Sequence, residues 1–310
     1  MSLPAAEGRG VTYSYGDRQA LCGIDFAVAP GSVHGFLGPN GSGKSTLFKL
    51  LSTIVAPQAG SLHLLGCDLV TQQHLVRQRI GVVFQSPAVD KKLTVRENLR
   101  YGGHLYGLRG GALEQRIDEL LRHAGLADRA GEKLAKLSGG MRRRVEVAKC
   151  MLHRPELLLL DEASTGLDPA ARRDMWSLLR SQQGLTVLFT THLMEEAAQA
   201  DHLTLLDQGR IVAEGRPVDL VRSVGGEVLD IEADEPDSLA AELRSRHGIA
   251  ATVVDRRIHV RAPSVHAMVG KVMETHGARI RRLTVAQPSL EDVFLQVTGK
   301  RFESVNGGAA

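Results

Sequence analysis

Cysteine is scarce in this chain of 310 residues, which has only Cys22, Cys67 and Cys150. They are too scattered for a zinc cluster or a disulfide framework, and a reducing compartment suits them. Aromatic residues make up 4%, too few for the stacking platforms of single-strand nucleic-acid binders. No sign of charge dominates: 38 Lys and Arg face 35 Asp and Glu, a net of +3. That balance excludes a polybasic nucleic-acid binder. No apolar run reaches the roughly 18 residues that a spanning helix needs. The opening MSLPAAEGRG has neither the basic nor the apolar region of a secretory signal. The expectation is a globular protein inside the cell, with any membrane role borrowed from a partner. With 43% apolar and 24% charged residues, the chain is ordinary for a folded one, with room for one large or two moderate domains.

What is present begins at Gly38–Ser45, GPNGSGKS, which fits G-x-x-x-x-G-K-[ST]. Gly31–Leu37 reads as a buried strand before it and Ser45–Ser52 as a helix after it. Strand, glycine turn and helix open a phosphate-binding α/β unit. The glycines let backbone N–H groups turn inward around phosphate oxygens. Lys44 can set its ammonium against the β- and γ-phosphates, and Ser45 can offer a hydroxyl to Mg²⁺. The helix that follows aims its positive dipole end at the anion. Kinases, GTPases and many ATPases share such a loop, so it identifies a nucleoside-triphosphate binder and no more.

Leu157–Leu160 is a continuous apolar run, read as a strand buried on both faces. It ends at Asp161 and Glu162. The first carboxylate can hold Mg²⁺ beside a phosphate loop, and the second can take a proton from an attacking water. LSGGM at Leu137–Met141 opens a helix with Ser138 as its N-cap. Gly139 and Gly140 leave that helix tip open to an anion. Met141, Val145, Ala148 and Leu152 are expected on its apolar face, with Arg142, Arg143, Arg144, Glu146 and Lys149 on the outer one.

GPNGSGKS, Gln85, LSGGM, LLLLDE, STGLD and His192 follow one another in a fixed order. This set resembles the ATP-binding subunit of ABC transporters, over about residues 5–220. The resemblance implies an α/β fold, a P-loop NTPase domain with a core mixed sheet and a helical subdomain near residues 90–150. It implies ATP and Mg²⁺ as ligands. Gly38, Pro39, Asn40, Gly41, Ser42, Gly43, Lys44, Ser45 and Thr46 correspond to the Walker A loop. Tyr15 corresponds to the aromatic that stacks on adenine, with Tyr13 as its rival. Gln85 corresponds to the glutamine that senses Mg²⁺ and the attacking water. Asp161 corresponds to the Walker B aspartate, Glu162 to the catalytic base and His192 to the switch histidine on the γ-phosphate. Ser164–Asp168 corresponds to the loop that crosses to an opposing subunit. Ser138, Gly139 and Gly140 correspond to the signature that closes on the ATP of that subunit. One motif set per chain therefore implies a head-to-tail pair, a homodimer or a heterodimer, working with a separate permease at the cytoplasmic side of the membrane.

LSGGMRRR and DEASTGLDP, with Ala163 where Pro is frequent, resemble the branch that drives ABC-2 type exporters, the drug-resistance and nodulation-type ATPases. PSLEDVFLQVTGK near the end fits that branch, and Ser289 and Asp292 sit at capping-box spacing there. A soluble ABC ATPase acting on ribosomes or nucleic acid is the alternative. It usually carries two nucleotide domains or a long coiled coil, and neither is found. A regulatory module with dead chemistry is disfavoured because Glu162 and His192 are both present.

Residues 90–150 hold fourteen basic and eight acidic side chains, a surplus that reads first as a solvated helical face and second as a surface near anionic lipid. Near residue 220 the pattern changes to β-α-β-β-α-β. Residues 221–310 are therefore expected to form a small α+β accessory domain with ferredoxin-like order.

Overall fold

A computed structural model of the chain describes residues 3–254 and 256–302. It divides into two compact units, Met1–Ile211 and Val212–Ala310. In the first, β1 (Ala6–Tyr15) and β2 (Arg18–Val28) pair antiparallel across a tight turn at Gly16 and Asp17. The fully buried β3 (Val33–Leu37) follows, then α1 (Lys44–Leu51). β4 (Ala59–Leu64) and β5 (Cys67–Asp68) complete a sheet in the order β2-β1-β4-β5. The short α2 (Gln73–Arg79) leads into β6 (Ile80–Val83).

A helical stretch follows: α3 (Val95–Leu105), α4 (Gly110–His123) and α5 (Gly139–Cys150). α3 starts where Thr94 accepts from the Glu97 N–H and Glu97 returns a bond to the Thr94 N–H. That capping box removes two orphan donors. α4 buries Leu113, Ile117, Leu120 and Leu121, the stripe that its periodicity predicts. Part of the basic surplus is neutralised in place, since Arg96 pairs with Glu114 and Asp118, and Arg100 with Glu114.

The chain then alternates β7 (Leu157–Asp161), α6 (Pro169–Arg180), β8 (Thr186–Thr191), α7 (Met194–Ala197), β9 (His202–Asp207) and β10 (Arg210–Gly215). These strands form a sheet in the order β10-β9-β3-β8-β7-β6. From β9 to β6 the pairings are parallel. Leu157–Leu160 lie at 0% exposure because helices cover both faces of such a sheet. Register sets the site: Leu37 pairs with Thr191, Asp161 with Thr190 and Val83 with Leu160. Gly38, Gln85, Glu162 and His192 therefore emerge near one level, at the carboxyl ends of adjacent strands, where open α/β sheets bind ligands.

β3 carries a buried titratable group. His34 Nε2 lies 2.9 Å from Thr204 Oγ1, and its ring centroid is 5.2 Å from that of His202. Burial first, and His202 second, lower its pKa from 6.5 to about 3. The unfolded chain therefore takes up a proton below pH 6.5 that the folded chain refuses. Stability is expected to be fully present above that value and to be lost as pH falls toward 3. The slope is about 1.4 kcal/mol per pH unit for one group. Urea titrations at pH 7 and pH 5 check this. His34→Gln should lose less stability between the two than wild type does.

The second unit has α8 (Pro217–Val224), β11 (Glu227–Ala233), α9 (Pro236–His247), β12 (Ala251–Val254), β13 (Arg257–Ala262), α10 (His266–His276), β14 (Ile280–Ala286) and α11 (Leu290–Thr298). Its sheet is antiparallel, in the order β12-β13-β11-β14. With the strand-helix sequence this is the ferredoxin-like topology. Leu229, Ile231, Leu239, Leu243, Ile258, Val260 and Val272 form its core. Asp292 Oδ2 accepts from the Ser289 N–H at 2.8 Å and starts α11. Among the described residues no helix is long and apolar enough to cross a membrane.

Candidate active site

The loop between β3 and α1 needs glycine at several positions: Gly41 has φ +81°, and a Cβ on Gly38 would stand 2.4 Å from Leu206 O. Gly43, the residue before α1, has φ +109°, a region that L side chains rarely adopt. Lys44 then turns inward. Its side chain is 4% exposed, and its ammonium donates to Gly38 O at 2.6 Å and Pro39 O at 3.0 Å. Burial lowers its pKa, against the pull of Glu162 and Asp161. Ser45 stays exposed, while Ser42 and Thr46 are buried. A cleft of about 300 Å³ lies over this loop, lined by Tyr15, Arg18, Ala20, Asn40, Gly41, Gly43, Lys44, Ser45 and Thr46. Tyr15 is 45% exposed at its edge. Tyr13 packs against the core instead.

Beside the cleft, Asp161 ends β7 and Glu162 follows it with φ +43°. Burial pushes the Asp161 carboxyl above its ordinary range, although Thr190 Oγ1 donates to its Oδ1 at 2.6 Å. Glu162 Oε1 lies 3.8 Å from Lys44 Nζ. Its Oε2 accepts from Gln85 Nε2 at 3.3 Å and lies 3.3 Å from His192 Nδ1. Five of the expected residues thus meet: Lys44, Gln85, Asp161, Glu162 and His192. They place two carboxylates, a cation, an amide and an imidazole together, a set that can bind a phosphate group and move a proton.

Ser138, Gly139 and Gly140 are not among the residues lining this cleft. Ser138 caps α5 by accepting from the Met141 N–H at 3.2 Å. Ser138 and Gly139 are exposed. Gly140 is buried, because a Cβ there would stand 2.5 Å from the Ala171 Cβ on α6. Asp168, at the end of STGLD, caps α6 by accepting from the Ala170 and Ala171 N–H groups. The signature helix is therefore held from behind while its tip faces outward.

One expectation about α5 is overturned. Arg143 and Glu146 belong to its inner face, at 6% and 1% exposure, not to the outer one. Met141 is only partly buried. The charge of Arg143 is tolerated inside because Glu146 accepts from its Nη1 at 2.5 Å and two backbone carbonyls accept from its Nε and Nη1. Opposite charges three residues apart were the available signal, masked by the neighbouring arginines.

The family model for ABC transporters matches residues 21–165. Over 299 residues the chain is 40% identical to the daunorubicin resistance ATP-binding protein DrrA3 of Streptomyces coeruleorubidus, covering 94% of each. The chain belongs to the ABC transporter family. The Nod factor export ATP-binding protein I of Rhizobium etli is 38% identical, covering 98% of this chain and 96% of that protein. Among solved structures, cbiO1 of Clostridium perfringens, part of the ABC transporter complex cbiONQ, superposes with a TM-score of 0.66 at 27% identity. The match covers 72% of this chain and 95% of that one. A bacterial Atm1-family ABC exporter with ATP bound gives 0.63 at 32% identity, covering 73% of this chain and 41% of that one.

The ABC ATPase thus has the P-loop fold that its motifs imply, binds ATP and is an ATPase. No stretch of the sequence singled out Arg18 or Thr190. Arg18 lies outside the glycine loop in sequence and reaches the cleft only because β2 runs beside it. Thr190 is one of several threonines on β8, and only the pairing with β7 brings its hydroxyl to Asp161.

Proposed function

We propose that this ABC ATPase is the motor subunit of an ABC-2 type exporter. Relatives named for daunorubicin resistance and Nod factor export, alike over nearly the whole chain, support export. The observation that carries the mechanism is the split of the anion-binding parts. The phosphate cleft lacks Ser138–Gly140, while that helix tip is exposed with a capped N-terminus.

In this reading the cleft of one subunit and the Ser138–Gly140 tip of another clamp one ATP, head to tail. Tyr15 stacks on the adenine, and Gly38–Thr46 wraps the phosphates. Lys44 moves from its carbonyls to the β- and γ-phosphate oxygens. Gln85 and His192 hold the Glu162 carboxylate, which takes the proton of the attacking water. The water oxygen bonds to the γ-phosphorus as the bond to the bridging oxygen breaks, releasing ADP and phosphate. His192 also faces the γ-phosphate.

The residues fit a magnesium ion. Ser45 Oγ, the Asp161 carboxylate and the Gln85 amide are hard oxygen donors, and a site short of protein ligands suits an ion that keeps water and phosphate oxygens. Among the described residues no cluster of three His, Cys, Asp or Glu side chains offers a self-sufficient alternative. When bound, the ion neutralises charge on the phosphates.

Mixing two inactive variants tests the clamp. Lys44→Ala spoils the cradle, and Ser138→Arg spoils the tip. A mixed dimer contains one intact site, so combined samples should regain turnover, at most about a quarter of wild type with random pairing. Inactive mixtures without an ATP-dependent dimer would count against the reading.

The permease, a separate chain, is proposed to dock at a groove of about 460 Å³ lined by Phe84, Ala88, Gly102, Leu105, Tyr106 and Lys149. Leu105 is 83% exposed there, an unusual cost for a leucine without a partner. Gln85 lies next to Phe84, so the groove adjoins the site. The motor would then sit on the cytoplasmic face of the membrane, with no nucleic acid involved. Leu105→Asp should abolish co-purification with the co-expressed permease while isolated ATP turnover stays within about twofold, as expected for a surface change.

A further inference from the structure

Glu162 holds an unfavourable backbone conformation. Its φ of +43° is disfavoured for a non-glycine residue and persists only where neighbours enforce it. One enforcing bond lies on its amino side, where the Glu162 N–H donates to Thr190 O at 3.1 Å. On its carboxyl side Glu162 O accepts from the Thr165 N–H at 3.1 Å, and the next carbonyl is tied as well. Ala163 O accepts from Arg143 Nε at 2.6 Å. The same guanidinium donates to Phe84 O at 2.7 Å, immediately before Gln85, which itself donates to Glu162 Oε2 at 3.3 Å. One buried side chain therefore fixes the backbone beside the carboxylate and beside its amide partner.

We infer that Arg143, locked by Glu146, is a positioning residue that sets the Glu162 carboxylate for proton transfer. This rests on the reading of Glu162 as the base. Glu146 balances the charge at 2.5 Å, and its other oxygen accepts from the Ala88 N–H at 2.7 Å. The pair thus spans α5, the segment after β6 and the turn after β7. A buried ion pair is a poor source of stability compared with apolar packing, so its use here is geometric. Lysine cannot reproduce it, because a single ammonium lacks the fork that reaches two carbonyls and a carboxylate together.

The test uses the full chain and follows ATP turnover, nucleotide affinity and thermal midpoint. Arg143→Lys should lower kcat by about 10- to 100-fold, as displacement of a proton-transfer group does, with KM and ATP affinity within twofold. Arg143→Met/Glu146→Leu removes both charges and so keeps the fold. It should show the same loss. A wild-type kcat in the folded double variant overturns the inference. So does a fall in kcat that comes with equal losses of ATP affinity and thermal midpoint, the mark of a merely structural tie. Glu162→Gln is measured alongside. If that variant turns over normally, the reading of the base fails. If it is inactive while the Arg143 variants are normal, only the positioning role fails.

Discussion

Glu162→Gln is expected to stop ATP turnover while ATP remains bound, and to accumulate an ATP-dependent dimer. Removing a general base costs about 10²- to 10⁴-fold. The substitution keeps the shape of the side chain and an oxygen that can accept from Gln85 Nε2, which donates at 3.3 Å in the native site. It removes the charge that lies 3.8 Å from Lys44 Nζ, so the ammonium keeps the phosphates as its anionic partners. Binding contacts therefore survive and only the proton acceptor is lost. If ATP glues two subunits and hydrolysis separates them, blocking hydrolysis shifts the population to the closed pair. Sizing chromatography with and without ATP reads this directly. A variant that binds ATP yet elutes as a monomer would argue against the clamp. One that hydrolyses ATP at the wild-type rate would remove Glu162 from the chemistry.

Much of this arrangement is legible in the amino-acid sequence. GPNGSGKS declared its strand, turn and helix because each residue type has a separate physical reason to be there. LLLLDE declared a central strand because four consecutive leucines suit a strand buried on both faces. The ferredoxin-like order of the second unit followed from alternating periodicities. What the sequence hid depended on which strand lies beside which. Thr190 reaches Asp161 only through the pairing of β8 with β7, and Arg18 reaches the cleft only because β2 passes it. Arg143 and Glu146 misled for a different reason. Charged residues on a helix are normally solvated, and three arginines in a row carry no periodicity that marks one of them as inward-facing. Its neighbours Arg142 and Arg144 are only partly buried, while Arg143 is 6% exposed. Local propensity placed the helix correctly, and tertiary contacts decided its inner face.

Lys44→Ala is expected to weaken ATP affinity by about 100-fold or more, equivalent to about 2.7 kcal/mol. The lysine is the buried cation of the cradle, and burial already presses its pKa down while Glu162 and Asp161 hold it up. Its hydrogen bonds to Gly38 O and Pro39 O brace the loop from inside, so alanine removes both the brace and the charge that meets the phosphates. Lys44→Arg should not rescue binding, because a planar fork does not fit a space shaped for a compact ammonium on a side chain at 4% exposure. Calorimetry measures the loss directly. A second readout is the thermal midpoint, since ATP stabilises the folded chain by an amount set by its affinity. At an ATP concentration that raises the wild-type midpoint, the variant should show almost no rise. The rise is measured against the variant's own midpoint without nucleotide, because loss of the brace to Gly38 O and Pro39 O lowers that midpoint as well. Unchanged ATP binding in Lys44→Ala would mean that the ammonium serves only to brace its own loop.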